Sequence, residues 1–484
     1  MEYQAGSLKF ALPKGRLLAP TTKLLNEASL GFSGYGDKTR QYRLESTKFP
    51  YLSAKVFQEK DIPIQVAIEN YDLGICGLGW IDELLVRYPA SALVKISSLN
   101  YGEGNVYVAA SNQVGISSLD ESLAKLNSWR IVSEYPNLAG AFALNLRMRK
   151  FRIFPVWGAA EVYPPESADL AILWGKNESN IEAQGLVALV RLLPTTAFLI
   201  ANRESLENKD LSQILSCLSN VGYGPQNDVT SSQSNVIASE AKQSPGKEKV
   251  AKQSRWQTKE IKLALPDGHQ QPPTAKFLKK AGLNLQGYSG EVLNRRPSAN
   301  LDWLGIKVIR PQDMPLQVAN GNFDLAITGK DWLLEHLSRF PSSPVKELLD
   351  LGFGMVKVVA ALSQDMPVAN IDELRSFAES GEFAPVRVAS EYINIADKYL
   401  RDNRINPYKL IPTWGASEAF LPEDVDLLID NVQTGETLKQ HNLKVIDTLF
   451  ESLACLIGNK DSLDSSDKKE HIEFLIQILR RGLL

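Results

Sequence analysis

The sequence predicts an α/β protein built twice over, and three observations predict it. Short apolar runs alternate with helical stretches along the chain. The motifs of the first half return in the second in the same order. A single polar, aromatic-poor stretch separates the two halves.

Lys9 to Leu12, Leu73 to Cys76, Asn105 to Ala109 and Leu170 to Leu173 are short, mainly apolar runs, as buried strands of a parallel sheet are. Leu17 to Ala28 and Trp80 to Tyr88 carry helical periodicity. An αβ lobe left near residue 100 and regained near residue 190 predicts two lobes with a cleft, where α/β proteins bind small ligands.

The repeat is read residue by residue. Leu8-Lys9-Phe10-Ala11-Leu12-Pro13 returns as Ile261-Lys262-Leu263-Ala264-Leu265-Pro266, and Ser133-Glu134-Tyr135 as Ser390-Glu391-Tyr392. Asp61-Ile62-Pro63 returns as Asp313-Met314-Pro315, and Trp157-Gly158-Ala159-Ala160-Glu161 as Trp414-Gly415-Ala416-Ser417-Glu418. Leu12 maps to Leu265, Asp72 to Asp324 and Trp157 to Trp414, offsets of 253, 252 and 257. Residues 7–224 and 258–484 are thus expected to be two copies of one domain. Residues 225–257, rich in Gln, Ser, Lys and Glu, cannot bury enough apolar surface to offset their ordering entropy and read as a flexible linker.

Composition narrows the function. Of 484 residues, 44% are hydrophobic and 23% charged, as in an ordinary globular protein, and the net charge of −3 leaves no basic footprint for nucleic acid. Cys76, Cys217 and Cys455 lie far apart, and four scattered histidines suit no zinc site. No apolar run approaches a membrane span and no leader is evident, so a cytoplasmic protein is expected.

The most informative segment runs from Val425 to Leu438. A buried strand ends in Asp430, opens into Thr434-Gly435-Glu436-Thr437 and continues as a helix. Gly435 would let backbone N–H groups approach an anion, Thr434 and Thr437 would add hydroxyls, and Asp430 stands where it can accept from sugar hydroxyls. A plain strand–turn–helix connection would read the same way.

Asp430-x-x-x-Thr434-Gly435-x-Thr437-Leu438, after a Gly-Ala-x-Glu segment, resembles the phosphoribosyl-pyrophosphate loop of the ATP phosphoribosyltransferases, short-form catalytic subunits of histidine biosynthesis. So do Leu12-Pro13-Lys14-Gly15-Arg16-Leu17, Arg310-Pro311-Gln312-Asp313-Met314-Pro315 and Asp324-Leu325-Ala326-Ile327-Thr328-Gly329-Lys330-Asp331. The resemblance spans nearly all of both halves. It implies two tandem copies of a two-lobed fold like type II periplasmic binding proteins, with Mg2+ as cofactor and ATP and phosphoribosyl pyrophosphate as substrates. It implies attack of adenine N1 on the anomeric carbon with loss of pyrophosphate. Asp430, Gln433, Thr434, Gly435, Glu436, Thr437 and Leu438 would then bind phosphoribosyl pyrophosphate, and Arg310, Asp331 and Glu418 would serve ATP. A synthetase-like regulatory subunit, which accompanies short forms, is a candidate partner.

The copies are unequal. In the first, Leu173 replaces the strand-end acid and Glu178 the turn glycine, so that loop should not hold phosphate. Gln58 and Gly79 stand for Arg310 and Asp331. Conversely Lys14-Gly15-Arg16 faces Asp267-Gly268-His269 in the second copy, and Thr39-Arg40-Gln41 resembles the family's Ser-Arg segment. In the family an arginine from the neighbouring subunit reaches the polyphosphate. An intramolecular pseudo-dimer is therefore expected, with Lys14, Arg16 and Arg40 as catalytic residues lent to the second copy's site. Trp157 and Trp414 read as hinge or core residues. The alternatives are a non-catalytic two-lobed binding module and a regulatory pseudoenzyme that assembles with a separate transferase.

Overall fold

The computed structural model of the chain describes residues 7–36, 42–115, 119, 128–221, 261–381, 385–415, 417–433 and 435–483. The segment read as a linker lies outside them, as do Arg40 and Thr434. The chain divides into two compact units, Met1–Pro155 with Ala168–Gln253, and Val156–Ser167 with Ser254–Leu484. Val156–Ser167 is thus part of the first copy by sequence and part of unit 2 by packing.

Unit 1 has two sheets. One runs in the order Arg43–Glu45, Leu52–Phe57, Leu8–Pro13, Leu73–Gly77, Ala197–Asn202, Leu93–Ser98; the other runs Leu186–Thr195, Gly104–Ser111, Leu170–Gly175, Trp129–Ser133, Phe151–Pro155. Leu8–Pro13 lies parallel to both Leu52–Phe57 and Leu73–Gly77. Largely buried on both faces, these strands read as mainly apolar runs rather than strictly alternating ones. The chain leaves the first lobe after Ser98 and re-enters it at Ala197, so two connections join the lobes.

Unit 2 repeats the plan. Its first sheet runs Leu304–Ile309, Ile261–Pro266, Leu325–Gly329, Ala454–Asn459, Val345–Asp350, and its second runs Tyr408–Pro412, Val386–Ser390, Leu427–Val432, Val356–Ser363, Leu443–Ser452. Ile261–Pro266 pairs parallel with Leu304–Ile309 residue for residue, and Val386–Ser390 does so with Tyr408–Pro412. The last helix, Ser466–Leu483, seals the first lobe by burying Ile472, Leu475 and Leu479 in its core. The two-lobed α/β fold, present twice, is the architecture expected from the sequence.

The same carboxylate ties the lobes of each unit. Glu83 accepts from the backbone N–H groups of Asn137 and Leu138 at 2.8 and 2.9 Å, and Glu335 from those of Asn394 and Ile395 at 2.9 Å each. These donors start the helices Pro136–Asn145 and Ile393–Asp402, where the first turn has no acceptor of its own. Burial pushes the Glu83 carboxyl up to about 7 and raises that of Glu335 as well. Among the described residues no helix is long and apolar enough to cross a membrane.

Candidate active site

In unit 2 both lobes turn the carboxyl ends of parallel strands toward one cleft, the position where open α/β sheets bind ligands. The first lobe supplies Asp267 to Gln270 after Pro266, Arg310 to Gln312 after Ile309, and Asp331 and Trp332 after Gly329. Glu391, beyond Ser390, and Asn431, at the end of Leu427–Val432, come from the second lobe. Together they line a cavity of about 90 Å³. That is room for a few waters rather than a nucleotide, with the two lobes held together around it.

Closure rests on a polar relay. Asp331 Oδ2 accepts from Tyr392 Oη at 2.5 Å and Oδ1 from Ser452 Oγ at 2.8 Å; Asn431 Nδ2 donates to Tyr392 Oη at 2.8 Å. Asp331, Tyr392 and Ser452 are all buried. Asp331 was expected to serve ATP; both its oxygens are engaged in holding the lobes together. Asp430 Oδ1 accepts from the Asn431 N–H at 2.6 Å, and Ser417 Oγ bonds Oδ2. Burial, and then the charges of Glu418 and Asp331, push the Asp430 carboxyl up to about 7 against those hydrogen bonds.

On the first-lobe wall, polar atoms await partners. Arg310 Nε, Gln270 Oε1 and Gln312 Oε1 are buried without a hydrogen-bond partner among the described residues. Leaving such groups unpaired costs about 1–3 kcal/mol each, so a polar ligand at this wall would regain that energy. Asp267 stands where the family has lysine, yet it does not make the wall acidic. Its buried carboxylate pairs with Arg295 Nη1 at 2.7 Å and Arg310 Nη1 at 3.3 Å.

Gly435 adopts the left-handed conformation (φ +73°), a Cβ there would meet nothing within 4 Å, and no side chain caps the helix it begins. That helix, Glu436–Gln440, is a single turn, so its dipole adds little beside the turn's backbone amides. Gln433, Glu436 and Thr437 are exposed. Leu438 is buried in the lobe. Glu418 is half-buried at the turn Ser417–Phe420.

The first copy fills the corresponding space with its own side chains. Arg16 Nη2 pairs with Glu59 Oε1 at 2.6 Å, Nη1 donates to the Gly102 carbonyl at 3.0 Å, and the guanidinium lies 4.5 Å from the Trp174 ring centroid. Trp174 Nε1 in turn donates to Thr195 Oγ1 at 3.0 Å. Trp174 occupies the place of Asn431, and Tyr135 that of Tyr392, stacked on Trp80 at 4.4 Å as Tyr392 stacks on Trp332 at 4.5 Å. At the loop, Asn177 Oδ1 accepts from the Asn180 N–H at 2.9 Å, taking a donor that an anion would need. The Lys14 ammonium lies 5.5 Å from the Tyr42 ring. Among the described residues the side-chain partners of Arg16 are Glu59, Gly102 and Trp174, all in unit 1.

Sequence reasoning gave no role to Arg295, whose strand is shifted by an indel, nor to Tyr392, Asn431 and Ser452. Ser390-Glu391-Tyr392 was visible as a repeat match, and its persistence in both copies was the available signal.

Two α/β lobes meeting at a cleft walled by strand ends and Arg310 define a small-molecule-binding protein suited to anionic ligands. A family model described as "HisG: ATP phosphoribosyltransferase" matches residues 58–220 and 310–481. The ATP phosphoribosyltransferase of Saccharolobus solfataricus is 34% identical over 228 residues, 46% of this chain and 72% of that protein. That of Pelotomaculum thermopropionicum is 31% identical over 228 residues, 46% of this chain and 73% of its own. A solved structure, "ATP phosphoribosyl transferase (HisG:HisZ) complex from Thermotoga maritima", is 21% identical with a TM-score of 0.37, covering 46% of this chain and 98% of that one. The chain belongs to the ATP phosphoribosyltransferase family, with the match falling once in each copy.

Proposed function

We propose that the chain transfers phosphoribosyl from phosphoribosyl pyrophosphate to N1 of ATP, the first step of histidine biosynthesis, at one site in the second copy. The observation that carries this is the contrast between loops. The second copy has a strand-end Asp430 and an uncapped left-handed Gly435, where the first has Leu173, a side-chain cap and a cleft filled by Arg16 and Trp174. The loop amides hold the sugar phosphate, Asp430 accepts from ribose hydroxyls, and Arg310 meets the polyphosphate as charge develops on the leaving group. Adenine N1 is itself a nucleophile, so the site works by positioning and charge stabilisation without a general base.

Magnesium fits this scheme without a protein cage. Among the described residues no three His, Cys, Asp or Glu side chains gather for a metal. Mg2+ is commonly held by one or two carboxylates together with substrate phosphates. Asp430 and Glu418, whose repulsion helps raise the Asp430 pKa, are the pair that would hold it, and the ion would neutralise phosphate charge. A cytoplasmic setting and a synthetase-like regulatory subunit follow the family reading.

The test is formation of phosphoribosyl-ATP by the purified full chain with both substrates and Mg2+, with and without such a subunit. No product in either case overturns the proposal. A pH profile adds a finer check. Because the Asp430 pKa is raised to about 7, the carboxyl is protonated below that pH and loses its acceptor role. Accordingly kcat/KM for phosphoribosyl pyrophosphate should rise with pH through about 7. Asp430→Asn should remove the rise and lower the plateau.

Arg16→Ala should behave as a change in structure rather than in chemistry. Glu59, whose carboxyl burial raises, loses its cation while keeping the Gly77 N–H at 2.9 Å. A cost of about 1–3 kcal/mol is expected in thermal unfolding, with turnover within about threefold of wild type. A loss of turnover of about a hundredfold would instead put Arg16 in the working site.

A further inference from the structure

Val156–Ser167 is pinned in unit 2 at both ends. At its start, the Trp157 N–H donates to both carboxylate oxygens of Asp313, at 3.0 and 3.1 Å. The Asp313 N–H bonds the Arg310 carbonyl at 3.1 Å, so this anchor lies one turn from the cleft wall. The Trp157 ring meets Trp332 edge-on at 5.7 Å and Trp414 at 6.2 Å. At its end, Glu166 accepts from Arg296 Nη1 and from Lys307 Nζ, each at 2.7 Å. Lys307 Nζ also donates to the Val162 carbonyl at 2.9 Å, and Arg296 Nη2 to that of Pro164 at 2.8 Å.

Gly158 follows the first anchor directly. A Cβ built there would stand 3.2 Å from Arg310 Nε, 3.6 Å from Nη2 and 3.9 Å from Cγ, and would meet no other residue among its three nearest atoms. The backbone is not left-handed at this glycine, so the position requires the absence of a side chain rather than an unusual φ. The guanidinium it supports lines the cleft, holds one bond to Asp267 and has its Nε unpartnered.

We propose that Gly158, a residue of the first copy, is a positioning residue for Arg310, so that the degenerate copy sets the aim of an anion-binding side chain in the second copy's site. This rests on the reading of the second-copy cleft as the phosphate-handling site. The N–H groups of a guanidinium share one plane, which suits bidentate contact with a phosphate, and the bare backbone at Gly158 lets that plane lie close. A side chain at 158 would displace it. The pinned ends prevent the segment from yielding, so Arg310 must move instead.

A double-mutant cycle of Gly158→Val and Arg310→Ala tests this, with kcat/KM for phosphoribosyl pyrophosphate and Kd for inorganic pyrophosphate measured on all four proteins. Gly158→Val should lower kcat/KM by about tenfold or more, chiefly through KM, and weaken pyrophosphate binding in parallel. In the Arg310→Ala background the same change should matter by less than about twofold. Gly158→Ala, a single added carbon, should give a smaller loss that likewise vanishes without Arg310. It decides the matter if the valine variant fails to fold. Additive losses in the two backgrounds, or a Gly158→Val protein with wild-type constants, overturn the proposal. The two readings separate cleanly. A wild-type chain that makes no product but shows coupled pyrophosphate affinities sinks the transferase assignment and keeps the positioning role. Product formation with additive losses does the reverse, and a wild type that neither turns over nor binds pyrophosphate sinks both.

Discussion

Gly435→Asp should abolish measurable turnover of the full chain and its binding of phosphoribosyl pyrophosphate. The left-handed backbone here is tolerated by Asp and Asn at modest cost, and the Cβ would enter open space, so the fold should survive. That open space is where a phosphate must sit. A carboxylate about 4 Å from a phosphate charge costs roughly 4 kcal/mol at the effective dielectric of a protein surface, on the order of a thousandfold in affinity. Gly435→Asn separates the two parts of the effect, because it blocks backbone approach without adding charge and should fall between wild type and Asp. Glu178→Gly, the reciprocal change in the first copy, should leave turnover within about twofold, since Leu173 and the Asn177 cap remain. Equal losses from the changes at 435 and 178 would refute the single-site assignment.

The largest effect on stability is expected from Glu166→Ala. Lys307 is 1% exposed, and Glu166 is the carboxylate that faces it and Arg296. Breaking a buried pair by removing one partner typically costs about 3–5 kcal/mol. At about 2–4 °C per kcal/mol for a unit of this size, Tm should fall by on the order of 10 °C. Burial alone would raise the Glu166 carboxyl, but the hydrogen bonds and charges of Arg296 and Lys307 together hold it below its ordinary value. A carboxylate depressed in the folded state contributes stability above its unfolded pKa of about 4.3 and loses it as pH falls through the folded one. The wild type should therefore lose stability more steeply than Glu166→Ala in acid below about pH 4, and the curves should converge there. Residues 258–484 expressed alone lack Glu166 and Trp157 and should melt at a similarly reduced temperature. A melt unchanged from the full chain would show that Val156–Ser167 contributes nothing.

Much of this was legible beforehand, and the reasons differ by feature. The repeat, the lobes and the Asp430–Thr437 loop are written in contiguous residues, where strand periodicity and turn chemistry act locally. The relay of Asp331, Tyr392, Asn431 and Ser452 is assembled from positions up to 121 residues apart, and the motifs that contain Asp331, Tyr392 and Asn431 do not show that these side chains meet. Arg295 escaped because an indel shifts its strand, although Asp267 in a lysine position called for a cation nearby. The packing of Val156–Ser167 in unit 2 had no local signature. Glu166, Lys307 and Arg296 read as ordinary scattered charges until the fold brings together residues 130 and 141 positions apart.

The Val156–Ser167 segment also changes what the duplication means for inheritance. A second copy of a gene is usually free to decay once the first suffices, and the loop around Leu173 and Glu178 has the look of that freedom. In the preceding segment, Val156–Ser167, the freedom stops, because a substitution at Trp157, Gly158 or Glu166 is felt in unit 2. The two copies are bound into one unit of selection by a short stretch that does no chemistry, and loss of the first copy would weaken the second.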